Sequence, residues 1–182
     1  MPAIADLDWP RRTARLALSP TTEGDLEAIW QIRRQEAVGQ WMSDSSAEWD
    51  AFLEKNRTPE MLGDNLTVRC DGVIVGDLML KLEDAWSQGE VKDLAVGVQA
   101  ILGWCFDPSV ARTGYATEAV QELLRICFAD LGLRRVTALC FAANEPSWRL
   151  MERVGMRREA HNVQDSLHRT GVWMDGFLLH ET

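Results

Sequence analysis

The chain has 182 residues and a mass of 20.5 kDa, which suits one domain over 1–182 with a buried core. Its net charge of −9 and pI near 4.8 argue against binding to nucleic acid or an anionic membrane surface. A cationic partner is easier to accommodate, although solubility alone explains the acidity equally well. No window approaches the roughly 20 apolar residues that span a bilayer, and the N-terminus lacks a signal-peptide stretch, so we expect a soluble, cytoplasmic protein.

The cysteines and histidines form no pattern typical of a metal site or a disulfide. Cys70, Cys105, Cys127 and Cys140 are far apart, include no CxxC pair and lie inside apolar segments. Buried, reduced thiols are therefore expected. The three histidines all lie near the C-terminus without metal-ligand spacing, so the sequence predicts no metal site.

The first third of the chain predicts one strand followed by two helices. Residues 13–18 alternate as a short strand, and Thr22 in the following turn is a candidate helix cap. Apolar residues at helical spacing predict a helix over 24–37, which Gly39 would end. The same spacing predicts a second helix from Ser46 to Lys55.

The strongest local signal is a β-hairpin centred on Asp71-Gly72. Both central residues of such a turn must tolerate a positive φ, and Asp-Gly is typical of it. The turn joins predicted strands over 66–70 and 73–82. A polar loop from Glu83 to Asp93 then leads to a long apolar strand predicted from Ala95 to Phe106.

The second half of the chain alternates helix and strand. A helix is predicted from Gly114 onward, with Gly132 as its end. The nearly continuous apolar run over 135–142 is typical of a strand buried on both faces. Asn144 would cap a further helix through Val154. Two final strands are predicted over 156–161 and 171–179, which completes an α/β (α+β) chain with a mixed sheet.

The stretch SVARTGYATEA, residues 109–119, joins a predicted strand to a predicted helix. A glycine-bearing turn at this point presents unpaired backbone N–H groups at the positive end of a helix dipole, where an anion can bind. An ordinary strand-to-helix connection explains the single Gly114 as well. The stretch is neither a GxxxxGK[ST] phosphate loop nor a GxGxxG motif.

Three stretches carry a family resemblance: WCFDPSVARTGYATEA over 104–119, NEPS over 144–147 and LMERVGM over 150–156. Together they resemble the GNAT N-acetyltransferase superfamily, in particular Rim-type protein N-terminal acetyltransferases and their small-molecule relatives, which typically read DPxxxGxGYATEA and NxxSxxLxExxGF. The first strand and Trp173-Met174-Asp175 extend the resemblance over nearly the whole chain. It implies the GNAT fold, a mostly antiparallel mixed sheet of about seven strands and about four helices, with strands four and five splayed.

The resemblance also implies acetyl-CoA as the cofactor. The pyrophosphate would lie on backbone amides from Arg112 to Thr117, and the pantetheine arm would pair with the end of the fourth strand. Asn144 would hydrogen-bond the pantetheine, although a helix cap explains it without a ligand. The implied cofactor-binding residues are Trp104, Cys105, Phe106, Arg112, Thr113, Gly114, Tyr115, Ala116, Thr117, Asn144 and Ser147.

Ser147 is the catalytic residue that the resemblance implies, as a proton donor to the departing thiolate. A first-turn helix position explains Ser147 without any ligand. Tyr115, the one tyrosine of the chain, is interpreted as a packing residue rather than the catalytic acid. Direct attack by the amine in a ternary complex is favoured over an acyl-cysteine, because the sequence places no histidine to activate Cys105.

The sequence departs from the family pattern at two points. Ala111-Arg112-Thr113 lacks the first glycine and the following basic residue, which reduces how freely the backbone can curl around a pyrophosphate. The fourth strand, with Ala100-Ile101-Leu102-Gly103, lacks the glutamate that many relatives carry. The loop carboxylates that precede this strand are more simply solvated than catalytic, and none is assigned as the base: Glu83, Asp84, Glu90 and Asp93.

The sequence therefore favours an N-acetyltransferase that acts on a primary amine of a peptide N-terminus or a small molecule. The alternative is a catalytically weak GNAT-fold protein that binds acyl-CoA as a sensor or interaction module. Four of the eight tryptophans fall in segments expected to flank the acceptor: Trp30, Trp41, Trp49 and Trp86. Core packing explains most of them, and one or two are candidates for an acceptor pocket or a homodimer contact.

Overall fold

A computed structural model of the chain describes residues 4–43 and 47–182. Its strands are β1 (Arg11–Arg12), β2 (Leu16–Pro20), β3 (Asn65–Cys70), β4 (Val73–Glu83), β5 (Gln99–Phe106), β6 (Arg135–Phe141), β7 (Arg157–Leu167) and β8 (Trp173–Glu181). Its α-helices are α1 (Leu26–Arg33), α2 (Glu36–Gly39), α3 (Trp49–Asn56), α4 (Pro59–Gly63), α5 (Tyr115–Arg125) and α6 (Glu145–Arg153). A π-helical turn, Ile126–Asp130, continues α5.

The described strands form one sheet in the order β1-β2-β3-β4-β5-β6-β8-β7. Neighbouring strands are antiparallel except for β5 and β6, which are parallel. Pairing between β5 and β6 covers only 99–102 and 135–138, so the two strands diverge beyond Leu102 and Ala138. The predicted fold class and the predicted splay are confirmed, with β1 as a short strand that the sequence did not predict.

Two hydrophobic clusters hold the helices to the sheet. The larger cluster joins the sheet to α5, the π-helical turn and α6, and Val120, Leu123 and Ile126 are fully buried in it. The smaller cluster consists of Leu26, Ile29 and Phe52, so that it fastens α1 to α3. Helix α1 also packs against β4 and β5, which places it beside the divergent strands.

Several local predictions are confirmed. Asp71 and Gly72 have positive φ angles of 49° and 82°, as the turn between β3 and β4 requires. Gly132 has a φ of 65° just after the helical segment that begins at Tyr115. The two C-terminal strands are also present, although each extends beyond its predicted end. Turns and helix ends that need a positive φ were therefore predictable from the sequence.

Other local predictions are wrong. The helix over 24–37 breaks because Gln35 is extended, with ψ of 133°, and its carbonyl oxygen accepts bonds from the first turn of α2. The strand predicted from Ala95 begins at Gln99, because Gly97 has a left-handed φ of 62° and its amide donates to Asp84. The second helix begins at Trp49; its predicted start, Ser46, lies outside the described residues.

The prediction that β6 is buried on both faces is also wrong. Val136 and Ala138 are fully buried, but Leu139 is 54% exposed. Leu139 is the first residue of β6 beyond its pairing with β5, so its side chain lies at the divergence instead of inside the sheet. Apolar character along β6 therefore reflects two environments, the core and the opening between the strands.

A substitution of Gly76 in β4 tests whether the close approach of β4 and β5 requires a glycine there. A Cβ on Gly76 would lie 2.4 Å from the Cys105 carbonyl oxygen and 2.6 Å from Phe106 Cδ1. We expect Gly76→Ala to lower the free energy of unfolding by roughly 1–3 kcal/mol, the range for overpacked sites, in urea denaturation.

Gly63→Ala is the matched control, since nothing lies within 4 Å of its Cβ position at the end of α4. We expect this variant to be as stable as the parent chain, or slightly more stable. Equal stability of the two variants would contradict a close approach at Gly76.

Candidate active site

An open cleft of about 1100 Å³ lies where β5 and β6 diverge. In the sheet, residues 103–106 of β5 pair only with β4, and residues 139–141 of β6 pair only with β8. The backbone groups on the cleft side of both strands therefore lack a strand partner. Because backbone N–H and C=O groups form hydrogen bonds wherever they can, these edges can pair with an extended ligand.

The turn before α5 forms one end of the cleft, and its first half is closed. The Ser109 amide donates to Asp107 Oδ1 at 2.8 Å, and the Ala111 amide donates to the Pro108 carbonyl at 3.0 Å. Asp107 also begins the short helical turn Pro108–Val110. These internal bonds use the amides of the SVA part, so this part shapes the turn and leaves little for a ligand.

The second half of the turn is open. Within the part of the chain that the structure describes, the backbone amides of Arg112, Gly114, Ala116 and Thr117 donate no hydrogen bond. Three of these four amides belong to the N-cap and first turn of α5, where the positive end of the helix dipole adds to their attraction for an anion. These open amides, which we call the cradle, fall within 112–117, where the sequence predicts an anion site.

Arg112 explains how the turn keeps its shape without the first glycine of the family pattern. Its φ is 65°, in the left-handed region that glycine adopts freely, and Gly114 follows with φ of 86°. A left-handed backbone costs a residue with a Cβ about 1–2 kcal/mol. The arginine therefore adopts a conformation that a glycine would take without strain, and it lines the cleft.

The structure does not bring Thr113 to the cleft. Its hydroxyl donates to the Val110 carbonyl at 2.7 Å, and its amide donates to the same oxygen at 3.3 Å. Its carbonyl accepts a hydrogen bond from Arg15 Nη1 at 2.8 Å. Thr113 thus stabilises the turn through bonds that do not face the cleft. The other ten predicted cofactor-binding residues line the cleft: Trp104, Cys105, Phe106, Arg112, Gly114, Tyr115, Ala116, Thr117, Asn144 and Ser147.

Glu118 ties the turn to the segment between β1 and β2. Its carboxylate accepts hydrogen bonds from the Thr13 hydroxyl, the Arg15 amide and the Arg15 guanidinium. Burial acts to raise the pKa of Glu118, but the bonds from Thr13 and Arg15 outweigh it and lower the pKa overall. Sequence reasoning missed Arg15, because about 100 residues separate it from the turn and no local spacing signals the contact.

Tyr115 is held by neighbours on both sides of its ring. Cys70 Sγ donates to the Tyr115 hydroxyl at 3.3 Å, and the Arg15 guanidinium carbon lies 4.7 Å from the ring centroid. The contact with Cys70 raises the pKa of Tyr115, so the phenol stays protonated at neutral pH. These contacts support the interpretation of Tyr115 as a packing residue that also borders the cleft.

Asn144 occupies the N-cap position of α6, but its side chain does not make the predicted cap bond. The second helical residue is Pro146, which has no N–H, and the amide of the third, Ser147, already donates to the Asn144 backbone oxygen at 3.1 Å. The usual donors for a capping side chain are therefore absent or engaged. The Asn144 amide group remains available to a ligand in the cleft.

Ser147 lies beside the Cys140 thiol at the same end of α6. Burial raises the pKa of Cys140 to about 11, although the Ser147 hydroxyl and Arg158 act in the opposite direction. The thiol is therefore protonated at neutral pH and a poor nucleophile. All four cysteines are free, as predicted, but only Cys105 and Cys127 are fully buried.

A buried ion pair lies on the floor of the cleft. Arg33 of α1 donates to both carboxylate oxygens of Asp77 in β4, and Asp77 is 1% exposed. Asp77 faces Cys105 across the β4–β5 ladder. Burial, followed by the charge of Asp77, raises the pKa of Cys105 well above its usual value, so this thiol is also protonated. Sequence reasoning missed the Arg33–Asp77 ion pair. The one signal for it was an aspartate inside an otherwise apolar predicted strand.

The loop carboxylates considered as bases do not line the cleft in the described structure. Asp84 instead accepts the Gly97 amide at 2.8 Å, a bond that closes the loop before β5. Three of the four tryptophans lie where core packing or an acceptor pocket would place them, whereas Trp86 lies in neither place. Trp41 lines the cleft and contacts Phe141 and His168, whereas Trp30 and Trp49 pack on the smaller cluster and Trp86 is 90% exposed.

Among residues 4–43 and 47–182, no group of three or more His, Cys, Asp and Glu side chains could hold a metal ion. None of the described helices combines the length and the apolar character that crossing a membrane requires.

A mixed sheet that splays between two parallel strands, with open helix-end amides at the divergence, is the architecture expected of an acetyltransferase of the GNAT type. A family model described as an acetyltransferase (GNAT) domain matches residues 15–157, and the chain therefore belongs to the GNAT acetyltransferase family. The superfamily resemblance of the sequence is confirmed. Acetyl-CoA is the acyl donor of this family, and the cradle, the unpaired strand edges and the Asn144 side chain fit it.

Individual relatives agree with this assignment. The chain is 45% identical over 173 residues to YnaD of Bacillus subtilis, named an uncharacterized N-acetyltransferase, with 91% of this chain and 92% of YnaD covered. A GNAT-family acetyltransferase structure from Bacillus anthracis is 27% identical, with a TM-score of 0.73 over 93% of this chain and 96% of its own. Mycobacterium smegmatis RimJ, solved with CoA-disulfide, shares the fold at 22% identity and a TM-score of 0.74, over 96% and 88%.

A substitution of Glu118 tests the hydrogen bonds that join the turn before α5 to Thr13 and Arg15. Because the folded-state pKa of Glu118 is lowered, its contribution to stability is present above the unfolded pKa and is lost as the pH falls through the folded pKa. We expect Glu118→Gln to reduce the free energy of unfolding at pH 7 by roughly 1–2 kcal/mol, with the deficit shrinking below about pH 4.3.

Denaturant titrations of both proteins across this pH range provide the measurement. Glu152→Gln is the control, since Glu152 pairs with Arg158 at 2.9 Å while 46% of its side chain is exposed, and it should change stability by less than about 0.5 kcal/mol. A Glu118→Gln deficit that does not vary with pH would contradict the ionic tie.

Proposed function

We propose that this chain transfers the acetyl group of acetyl-CoA to a primary amine, on a peptide N-terminus or a small molecule, by direct attack in a ternary complex. The observation that carries the proposal is the arrangement of the cleft. Four open amides lie at one end, and the cleft continues past the divergence of β5 and β6 to a second end lined from α2, α3, α4, β3 and β4. Donor and acceptor thus have separate places along one opening.

The donor is held by backbone groups more than by side chains. The amides of Arg112, Gly114, Ala116 and Thr117 receive the pyrophosphate, and the free edges of 103–106 and 139–141 receive the pantetheine amides. The Asn144 side chain adds a further hydrogen bond there. When bound, acetyl-CoA supplies an activated acetyl thioester near Ser147.

Direct attack by the amine is supported by the protonated state of the two cysteine thiols in the cleft. Cys105 and Cys140 both line the cleft, and burial raises the pKa of each, so neither is a thiolate that could carry the acetyl group. A C–N bond therefore forms as the C–S bond breaks, with the amine as the nucleophile. The Ser147 hydroxyl delivers a proton to the departing sulfur and regains one from water in the open cleft, and a cleft-facing backbone N–H of β5 polarises the carbonyl oxygen.

The amine must lose a proton, since reference pKa values are about 8 for an α-amino group and about 10.4 for lysine. Asp77 is the carboxylate on the cleft floor, but both of its oxygens are bonded to Arg33, which makes it a poor base. The other carboxylates of the described lining, Asp107 and Glu145, lie at the donor end, where Asp107 bonds the Ser109 amide and Glu145 pairs with Arg149. We assign proton removal to water in the open cleft. Positioning of the two reactants then supplies most of the rate enhancement.

The engaged state of Asp77 also favours one alternative, a catalytically weak protein that binds acyl-CoA as a sensor. A thiol-release assay with acetyl-CoA and a panel of peptides, polyamines and aminoglycosides, with mass measurement of the products, separates the two. We expect thiol release that depends on the added amine. Tight binding of CoA without turnover of any amine would establish the sensor.

Ser147→Ala tests the proposed proton donor. Loss of a general acid should lower kcat by at least about tenfold, while KM for acetyl-CoA changes by less than about threefold. Ser166→Ala, in β7 outside the cleft lining, is the matched control and should retain the parent kinetics. An unchanged kcat in Ser147→Ala would remove this hydroxyl from the mechanism.

Arg112 allows backbone strain and cationic charge to be separated. Arg112→Gly relieves the left-handed strain and should raise the free energy of unfolding by roughly 0.5–1 kcal/mol, whereas Arg112→Ala keeps the strain. Both variants lose the charge beside the cradle, so both should raise KM for acetyl-CoA, by about three- to tenfold. Calorimetric unfolding and steady-state kinetics on both variants are the measurements, and a stability equal to that of Arg112→Ala would contradict the strain at this position.

A further inference from the structure

The end of the cleft away from the cradle differs in chemistry from the donor end. We call it the acceptor end and define it by Trp41, Met42, Asn56, Met61, Asn65 and Met79, with Asp77 on its floor. Its walls are formed largely by one tryptophan and three methionine side chains. Thioether and indole surfaces adapt to apolar groups of varied shape, so these walls favour a substrate with an apolar body.

Two asparagines supply the neutral polar groups of the acceptor end. Asn56 and Asn65 are only 8% and 7% exposed. Asn56 Nδ2 donates to the Phe52 carbonyl at 2.8 Å, and Asn65 Nδ2 donates to the Met61 carbonyl at 2.6 Å. These bonds fix the orientation of both amides. Neither Oδ1 accepts a hydrogen bond in the described structure, and both residues line the cleft, so each Oδ1 can serve as an acceptor for a ligand N–H.

The charged side chains of the acceptor end offer no open carboxylate to a substrate: its described lining also includes the cation Lys55, and Asp77 is already bonded to Arg33. Among the described residues that line it, Asp77 is the carboxylate, and it is buried and bonded to Arg33 through both oxygens. A second ammonium group on a substrate would enter a largely apolar space without a counter-charge of its own. Burial of an unpaired charge is strongly unfavourable, so polyamines are poorly matched to this end.

The sheet register places these groups relative to the reacting centre. Asn65 pairs with Met79, and Met79 pairs with Gly103, the first residue of β5 beyond the pairing with β6. Two strand spacings therefore separate Asn65 from Gly103, or about 10 Å between backbones. At this distance the asparagine oxygens meet the body of the substrate, while its amine reaches the divergence.

From this arrangement, and on the basis of the proposed function, we infer that the acceptor is a monoamine with an apolar, uncharged body that presents an N–H donor to Asn56 and Asn65. Tryptamine has these properties and serves as the probe, with spermidine as the polycationic comparison. For the parent chain we expect kcat/KM for tryptamine to exceed that for spermidine by at least about tenfold, a discrimination within the reach of single charge contacts.

Variants that add a carboxylate test the charge argument. Met42→Glu and Met61→Glu should each lower the tryptamine-to-spermidine ratio by at least about fivefold, because both residues line the acceptor end and are only partly buried, so that the new carboxylate supplies a counter-charge inside the cleft. Gln31→Glu, which adds the same charge on the exposed face of α1, should leave the ratio unchanged. Thermal unfolding shows whether each variant is folded, and an unchanged ratio in both folded methionine variants would contradict the charge argument.

The outcomes separate the acceptor class from the reaction itself. Faster turnover of spermidine than of tryptamine by the parent chain overturns the inference and leaves the acetyltransferase proposal intact. If no amine is acetylated, the reaction proposal fails, and calorimetry with CoA present then measures the affinities of both amines. Tighter binding of spermidine, or no binding of tryptamine, overturns the inference in that case as well.

Discussion

The divergence of β5 and β6 is the constraint on which the rest of the site depends, because it leaves two strand edges without partners inside the protein. Unpaired backbone groups are costly when they are buried, so the opening must remain accessible to water or ligand. The outer edges of both strands are firmly held, β5 by β4 and β6 by β8. The outer pairing therefore holds both strands in place on either side of the gap, and the gap forms the cleft.

A second constraint fixes the cradle at the mouth of that cleft. The turn before α5 contains two left-handed residues, Arg112 and Gly114, and its open amides are useful only if the backbone holds this conformation. Glu118 and Thr113 both bind Arg15, which fastens the turn to the start of β2 from the side away from the ligand. Strain at Arg112 can persist because contacts around it determine the conformation.

Features that depend on neighbours in the chain were predictable from the sequence, and features that depend on distant contacts were not. The Asp71-Gly72 turn and the helix after Gly114 follow from local φ requirements and apolar spacing. The pair Arg33–Asp77 joins α1 to β4 across 44 residues, and no periodicity encodes such a contact. The exposure of Leu139 was missed for a related reason, since an apolar side chain at a ligand cleft is indistinguishable in sequence from one in a core.

The candidate site shows the same division. The family motif located the cradle, but it could not show that the Asn144 side chain is left free, which depends on Pro146 and on the bond of Ser147 to the Asn144 backbone. Net charge was a poor guide as well. The chain carries −9 overall, yet Arg112 and Arg153 line the cleft without a carboxylate partner in the described structure, and Arg153 Nη1 donates to Thr117 Oγ1 at 3.3 Å. Under the proposed function, these two cations add to the backbone amides that would receive an anionic cofactor, because short-range charge outweighs screened charge elsewhere on the surface.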